Sequence, residues 1–193
     1  MNTTRHTDTS DQRRLRLATV WLAGCSGCHM SFLDLDDWLI ELAERVQIVY
    51  SPVLSDCKRY PEDVDIALVE GAVATDEQLA LLQRVRATTR TLVSFGDCAI
   101  TANVSGLRNP LGDAEPVLQR AYLELTDGCA QIPRGPGLLP ALLDQVLPLH
   151  AWVPVEVMLP GCPPSALRIR AVLESLLRGE QPQLSGPELI RFG

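Results

Sequence analysis

The sequence predicts an α/β domain in which helices cover both faces of a doubly wound parallel sheet. Two observations support this fold class: short apolar segments alternate with amphipathic ones, and the apolar segments read as almost continuous hydrophobic runs. Strands that are buried on both faces have this composition, and alternating strands and helices build parallel sheets. The 193 residues suffice for one domain, which we assign to residues 15–193 after a flexible N-terminal tail over residues 1–14.

The strands of this sheet are predicted where the short apolar segments occur. In chain order they cover residues 16–22, 46–50, 64–70, 91–95 and 153–159. The segment at 64–70 is apolar at nearly every position, as expected for a strand that is buried on both faces.

Helices are predicted between the strands, where apolar residues recur at helical spacing. They cover residues 32–44, a segment that begins after Thr75, and residues 117–125, 138–147 and 165–178. Ser31 is expected to cap the first helix. Thr75 is expected to cap the second, where Gln78 completes the spacing of a capping box.

The stretch around Cys25 and Cys28 organises the chain. It leads from the first strand through a tight loop, with Gly24 and Gly27 beside the cysteines, into the first helix. A Cys-x-x-Cys pair in such a loop is either a thiol–disulfide pair or half of a metal or iron–sulfur site.

Two further cysteines follow predicted strands, Cys98 after the fourth strand and Cys162 after the fifth. Ligands of doubly wound sheets bind beyond the carboxyl ends of the strands, so the fold would gather all four cysteines at one edge. Each has a glycine within two residues, Gly161 beside Cys162 among them, which lets the backbone approach a bulky ligand. Four thiolates that converge from loops are the ligand set of a four-iron cluster.

Three other interpretations of this site stay open on the residues alone. Four thiolates can hold a structural zinc, although zinc sites usually pair two Cys-x-x-Cys knuckles, and this chain has one knuckle and two single cysteines. A thiol–disulfide pair would leave Cys98 and Cys162 unexplained. A flavin-binding domain would carry a phosphate loop rich in Ser and Thr where this chain has cysteines.

Several other residues are candidates for the surroundings of this site. Glu70 ends a predicted strand at the same edge and is either a solvated acid or a proton or hydrogen-bond partner near the site. His29 is placed to donate to a cluster sulfur or to a partner chain. Cys57 and Cys129 are interpreted mainly as small buried hydrophobic residues, with Cys57 a less favoured ligand because it too follows a strand.

Composition and missing motifs exclude several classes of function. The net charge of −7 and the absence of a basic stripe argue against a nucleic-acid partner. No apolar run approaches the roughly 20 residues that cross a bilayer. Dinucleotide, nucleoside-triphosphate, hydrolase and metalloprotease motifs do not occur. The sequence therefore predicts an electron carrier whose substrate chemistry lies in another chain.

Arg13, Arg14 and the apolar run at 17–24 resemble a signal peptide. We interpret the run as the first strand, because it is at the short end of the roughly 7–15 residues of a signal sequence and a helix pattern follows Cys25 at once. A cytoplasmic protein is therefore expected, and its six cysteines should be reduced or metal-bound.

Four motifs give the sequence a family resemblance. They are Trp21-Leu-Ala-Gly-Cys-Ser-Gly-Cys28, Val69-Glu-Gly-Ala-Val73, Gly96-Asp-Cys98 and Leu159-Pro-Gly-Cys-Pro-Pro164. In this order and spacing, the chain resembles the small subunit of nickel–iron hydrogenases over residues 16–178. The resemblance implies a flavodoxin-like fold and a proximal [4Fe–4S] cluster held by Cys25, Cys28, Cys98 and Cys162.

The residues around Cys28 resemble most of all the cytoplasmic, NAD-reducing bidirectional branch of that family. The resemblance implies a large subunit with the Ni–Fe site and diaphorase subunits with FMN and further iron–sulfur clusters as partners. The loops at residues 23–30, 70–74, 97–104 and 126–137 should then pack against the large subunit. Met30 stands where respiratory relatives usually carry a glutamate implicated in proton transfer, and no cysteine follows Cys162 to hold the further clusters of those relatives.

The sequence is also similar to the cluster-bearing quinone-module subunit of respiratory complex I. In that family the first two cysteines are adjacent, whereas two residues separate Cys25 from Cys28. This spacing favours a hydrogenase subunit. A complex I-like subunit and a zinc-stabilised scaffold without catalysis are the alternatives.

Overall fold

The structure, a computed structural model, describes residues 13–186. Within them the strands are β1 Leu15–Trp21, β2 Val46–Tyr50, β3 Val64–Glu70, β4 Val73–Thr75, β5 Thr89–Phe95, β6 Leu142–Leu147 and β7 Val157–Leu159. The α-helices are α1 Gly27–Leu33, α2 Trp38–Arg45, α3 Asp76–Thr88, α4 Asp97–Thr101, α5 Glu115–Gln119 and α6 Ala166–Leu177. Residues 1–12 of the predicted tail and residues 187–193 of the predicted domain lie outside the described residues.

Five of these strands form one parallel sheet in the order β2-β1-β3-β5-β7. This is the flavodoxin-like strand order, with β4 and β6 forming a separate small sheet. All seven residues of β3 are buried, which explains the continuous apolar run in the sequence. The predicted doubly wound α/β fold is confirmed.

Helices cover both faces of the parallel sheet. One core packs α1, α2 and α6 against one face, through Phe32, Leu42 and Ile169. The other core packs α3 against the opposite face, through Leu82 and Val85. Because side chains alternate along a strand, the central strands contribute to both cores. None of the helices in residues 13–186 has the length and apolarity needed to cross a bilayer.

The predicted helix at residues 32–44 is in fact two helices. α1 begins at Gly27, inside the cysteine loop, and the chain turns before α2, where Asp36 has a left-handed φ of 48°. Aspartate tolerates this conformation better than most residues. The predicted N-cap at Ser31 is wrong, because Ser31 lies inside α1 and its hydroxyl donates to the carbonyl oxygen of Pro164 at 2.6 Å.

The predicted helix at residues 138–147 is wrong, because its second half forms strand β6, antiparallel to β4. The side chain of Asn109 also holds this strand: its amide nitrogen donates to the carbonyl of Val146 at 2.8 Å. Its amide oxygen accepts from the N–H of Val146, also at 2.8 Å. The pairing partners lie more than 30 residues away, so the local periodicity of the sequence could not reveal the strand.

Other predicted boundaries differ less. The last strand, predicted at 153–159, is limited to Val157–Leu159, after a 3₁₀ turn at Leu149–Ala151. The predicted helix at 117–125 corresponds to α5 and a π-helical turn at Arg120–Glu124. Helix α4 and the 3₁₀ helix Asn103–Leu111 were not predicted.

The N-cap of α3 agrees with the sequence. The hydroxyl of Thr75 accepts a hydrogen bond from the N–H of Gln78 at 3.2 Å, at the start of α3. The side-chain oxygen of Gln78 accepts a hydrogen bond from the N–H of Ala74 at 2.9 Å, one residue before the cap. Ser165 caps α6 through the N–H of Arg168.

Candidate functional site

The four cysteines that follow the strands lie at the carboxyl edge of the parallel sheet. Cys25 is in the loop after β1, and Cys28 is in the first turn of α1. Cys98 is in α4, directly after β5, and Cys162 follows β7. The parallel sheet therefore gathers residues that are far apart in the sequence, as the topology predicts.

The pKa shifts of two of these thiols indicate that the four cysteines lie near one another. Burial raises the pKa of Cys28 far above its usual value, and Glu70 together with Cys98, Cys25 and Cys162 raises it further. Burial also raises the pKa of Cys98, again with contributions from Cys162 and Cys25. Four neighbouring thiolates repel one another, so the arrangement favours a positively charged occupant.

Two loops of the site are joined by backbone hydrogen bonds. The N–H of Gly96 donates to the carbonyl of Leu159 at 2.8 Å, and the N–H of Asp97 donates to that of Gly161 at 2.9 Å. The carboxylate of Asp97 accepts in return from the N–H of Gly161 at 2.7 Å. These bonds fix Cys98 relative to Cys162, a role for Asp97 that its position beside a cysteine does not reveal.

Gly96 makes room for the buried thiol of Cys28. Its φ of 86° lies in the region that favours glycine, and a Cβ atom there would be 2.2 Å from the sulfur of Cys28. The glycines predicted from the sequence also lie at the site. A Cβ on Gly27 would be 3.2 Å from the sulfur of Cys25. One on Gly24 would be 3.3 Å from a carboxylate oxygen of Glu70. Gly161 is packed against Pro164, with no room for a Cβ.

Glu70 and His29 form a buried pair beside the thiols. The exposed fractions of the two residues are 1% and 0%. The carboxylate of Glu70 accepts the backbone N–H of His29 at 3.1 Å and makes a short contact with its Nδ1 atom. The interpretation of Glu70 as a solvated acid is therefore wrong. His29 uses Nδ1 for this carboxylate, and its Nε2 atom has no partner among residues 13–186.

The other two cysteines are not part of this cluster of thiols. Cys57 and Cys129 are exposed, so their interpretation as buried hydrophobic residues is wrong. The thiol of Cys57 contacts the carbonyl of Arg59 at 3.2 Å. Burial raises the pKa of Tyr50 and the thiol of Cys57 raises it further, which places Cys57 near the end of β2.

Sequence reasoning missed the segment that closes the site from the side of α4. The side-chain amide nitrogen of Asn103 lies 3.5 Å from the sulfur of Cys162. The backbone N–H of Val104 partly offsets the rise in the pKa of the Cys98 thiol. The hydroxyl of Ser105 donates to the carbonyl of Ala23 at 2.7 Å and ties this segment to the Cys25 loop. Asn103, Val104 and Ser105 do not form a sequence motif, so their role at the site could not be predicted from the sequence.

The donor set fits an iron–sulfur cluster better than a single metal ion. Among residues 13–186, no three His, Cys, Asp or Glu side chains are grouped closely enough to hold one ion. A tetrahedral zinc needs its thiolates within about 2.3 Å of one atom, whereas each thiolate of a cluster binds its own iron and the sulfurs stand further apart. Four thiols at one sheet edge, with N–H donors aimed at two of them, suit the larger group.

The strand order and the four cysteines at the carboxyl edge define a flavodoxin-like domain with a cysteine-lined site. The model of the family described as NADH ubiquinone oxidoreductase, 20 Kd subunit, matches residues 25–176, and the chain belongs to this family. The match covers all four clustered cysteines.

Several proteins of known name that are similar to this chain are hydrogenase subunits. The delta subunit of the NAD-reducing hydrogenase HoxS of Cupriavidus necator is 35% identical over 170 residues, which are 86% of this chain and 80% of that subunit. The F420-non-reducing hydrogenase vhu of Methanocaldococcus jannaschii has a subunit that is 34% identical over 171 residues, 88% of this chain. The chain spans only 58% of the length of that archaeal relative.

A solved structure agrees with these relatives. A chain of an NAD⁺-reducing [NiFe]-hydrogenase is 40% identical, with a TM-score of 0.87, over 94% of this chain and 100% of that one. The resemblance to hydrogenase small subunits, and to the NAD-reducing type among them, is confirmed.

Proposed function

We propose that the chain is the electron-transfer small subunit of a [NiFe] hydrogenase that reduces NAD⁺. Electrons from hydrogen, released at the Ni–Fe site of a large subunit, would pass through this chain to diaphorase subunits that carry FMN and further iron–sulfur clusters. The relatives support this proposal, because two chains that share 35–40% of their residues with this one belong to NAD-reducing hydrogenases. The cytoplasmic location predicted from the sequence is part of this proposal.

Cys25, Cys28, Cys98 and Cys162 are proposed to hold one [4Fe–4S] cluster, which would accept and release one electron at a time. The observation that carries this proposal is the position of the four cysteines after β1, β5 and β7, at the carboxyl edge of one parallel sheet. Cys57, near the end of β2, and Cys129 are not proposed as ligands.

The residues around the thiols would keep such a group in place. Gly96 leaves the space that Cys28 occupies, and the bonds between Asp97 and Gly161 hold two ligand loops in register. Glu70 holds the first turn of α1 in place, because its carboxylate accepts a hydrogen bond from the backbone N–H of His29, the residue after Cys28. The site is therefore built on hydrogen-bonded backbone, with little freedom to rearrange on a change of redox state.

The cysteine edge is proposed to face the large subunit. Large apolar side chains are exposed in α1 and in the 3₁₀ helix Asn103–Leu111: Met30 is 55% exposed, Val104 64% and Leu107 74%. Permanent interfaces of this kind bury about 2,000–5,000 Å² and are more apolar than transient ones. In the complex, amide hydrogen exchange should slow in residues 23–30, 70–74, 97–104 and 126–137 relative to the free chain. Equal exchange in both states would place the interface elsewhere.

Metal analysis tests the proposed ligands directly. Complexes with Cys98→Ala and with Cys57→Ala should be purified without oxygen and assayed for iron and acid-labile sulfide. We expect Cys98→Ala to remove iron equivalent to one four-iron cluster, and Cys57→Ala, a matched loss of one thiol, to leave the iron content unchanged. Equal iron in both variants would refute the ligand assignment, and zinc in place of iron would support the scaffold alternative.

The description of the family favours one second candidate, a subunit of a complex I-like NADH:quinone oxidoreductase. The two functions differ in the electron donor. The assembled complex should reduce NAD⁺ with hydrogen if it is a hydrogenase. Reduction of a quinone by NADH without any hydrogen-dependent activity would favour the alternative.

A further inference from the structure

Asn103 is a polar residue at the cysteine site for which the proposed function has given no role. Its side-chain nitrogen lies 3.5 Å from the sulfur of Cys162, a distance suited to the larger sulfur acceptor. A thiolate has no proton to donate, so the amide can bond to it only through its N–H group. In this contact the amide of Asn103 is therefore the donor and the sulfur of Cys162 the acceptor.

The backbone around Asn103 is arranged to present this donor. Ala102 and Asn103 both have left-handed backbone, with φ of 64° and 33°. Asparagine is among the few residues other than glycine that adopt this conformation readily. The conformation reverses the chain after α4, so that the N–H of the next residue, Val104, faces the thiol of Cys98. One short turn thus directs two N–H groups at two different cysteines.

The turn is held in place by its neighbours. The N–H of Ala102 donates to the carbonyl of Cys98 at 3.1 Å, and the N–H of Gly106 donates to the carbonyl of Ala102 at 2.9 Å. The hydroxyl of Ser105 bonds to the carbonyl of Ala23, on the far side of the site. With both ends fixed, the backbone of Asn103 is held close to Cys162.

We propose that Asn103 is a positioning residue that raises the reduction potential of the cluster through an N–H···S hydrogen bond to Cys162. This inference rests on the proposed function, since it requires a cluster on the four cysteines. A reduced cluster carries one more negative charge than an oxidised one. An N–H dipole aimed at a ligand sulfur stabilises the more negative state, and hydrogen bonds to sulfur are among the factors that set cluster potentials.

Two variants remove the donor in different ways. Asn103→Gly keeps the left-handed backbone and deletes the amide, whereas Asn103→Asp keeps the shape and replaces the donor by a negative charge. At a fixed potential we expect the ratio of reduced to oxidised cluster to fall about three- to tenfold in Asn103→Gly, where tenfold corresponds to about 59 mV for one electron. The ratio should fall further in Asn103→Asp. Gln47→Glu adds the same charge at the amino end of β2, on the opposite edge of the sheet, and should leave the ratio unchanged.

The experiment is a redox titration of the assembled complex, followed by electron paramagnetic resonance, with the iron content of each variant measured in parallel. An unchanged potential in both Asn103 variants, with iron retained, would overturn this inference and leave the proposed function intact. Loss of iron from both variants would also overturn it, because Asn103 would then hold the loop and not adjust the cluster. A complex without any reducible cluster before substitution would instead contradict the proposed function.

Discussion

Replacing Gly96 by alanine tests the geometry of the site at its tightest point. Gly96 has φ of 86° and ψ of 167°, a region in which residues with a side chain are strained by roughly 1–3 kcal/mol. The added Cβ would also stand 2.2 Å from the sulfur of Cys28, whereas nonbonded contacts begin near about 3.5 Å, so the sulfur would have to move by about 1.3 Å.

The two costs of this substitution fall on different states of the protein. The backbone strain is present with or without iron. The displacement of the sulfur costs little in the metal-free chain, where the side chain of Cys28 can rotate to another position, but a thiolate bound to iron cannot move that far. Gly96→Ala should therefore lower the stability of the metal-free chain by about 1–3 kcal/mol and, in addition, prevent assembly of the cluster.

Gly112→Ala provides the matched control. Gly112 is similarly strained for other residues, with φ of 94° and ψ of −58°, but a Cβ there would meet no atom within 4 Å. Urea unfolding of the metal-free chains and iron and sulfide analysis of the complexes separate the two effects. The two variants should lose comparable stability, and only Gly96→Ala should lose iron. Full iron and an unchanged paramagnetic signal in Gly96→Ala would refute the proposed position of Cys28 as a ligand.

Two further predictions concern the fold. Thr75→Ala removes the hydroxyl that caps α3 and should lower the free energy of unfolding by about 1 kcal/mol, whereas Thr88→Ala, at the other end of the same helix, should lower it less, as measured by urea unfolding. Burial raises the pKa of Tyr60 from 10.0 to about 12, so the folded chain favours the neutral phenol. The corresponding stability, about 2–3 kcal/mol, is present below pH 10 and should be lost between about pH 10 and 12. Tyr60→Phe should abolish this loss, and an equally steep decline in the variant would show that another group causes it.

The sheet and the convergence of the cysteines could be predicted from the sequence for the same physical reason. Strands buried on both faces need apolar residues at almost every position, so β3 was visible as a continuous run. Once the strands were located, the rule that parallel strands present their carboxyl ends at one edge placed Cys25, Cys98 and Cys162 together. No knowledge of side-chain contacts was needed for this step.

The features that the sequence could not reveal depend on contacts between distant segments. The apolar pattern of the sequence continues across the break between α1 and α2, because Leu35 is buried in the turn and keeps the helical spacing. The sequence therefore predicts one helix where the structure has two. Strand β6 depends on β4 and on the side chain of Asn109, both far away in the chain. The donor at Asn103 depends on the direction of one amide after a left-handed turn, which spacing does not encode.

Reduction by hydrogen shows whether this chain relays electrons through its four clustered cysteines. The anaerobic complex should be exposed to hydrogen and frozen, and its paramagnetic resonance spectrum compared with those of complexes that carry Cys98→Ala or Cys57→Ala. We predict that the spectrum of one reduced four-iron cluster is missing from the Cys98→Ala complex and present in the Cys57→Ala complex, and that hydrogen-dependent NAD⁺ reduction is lost with it. A Cys98→Ala complex with an unchanged spectrum and unchanged NAD⁺ reduction would contradict the proposed relay.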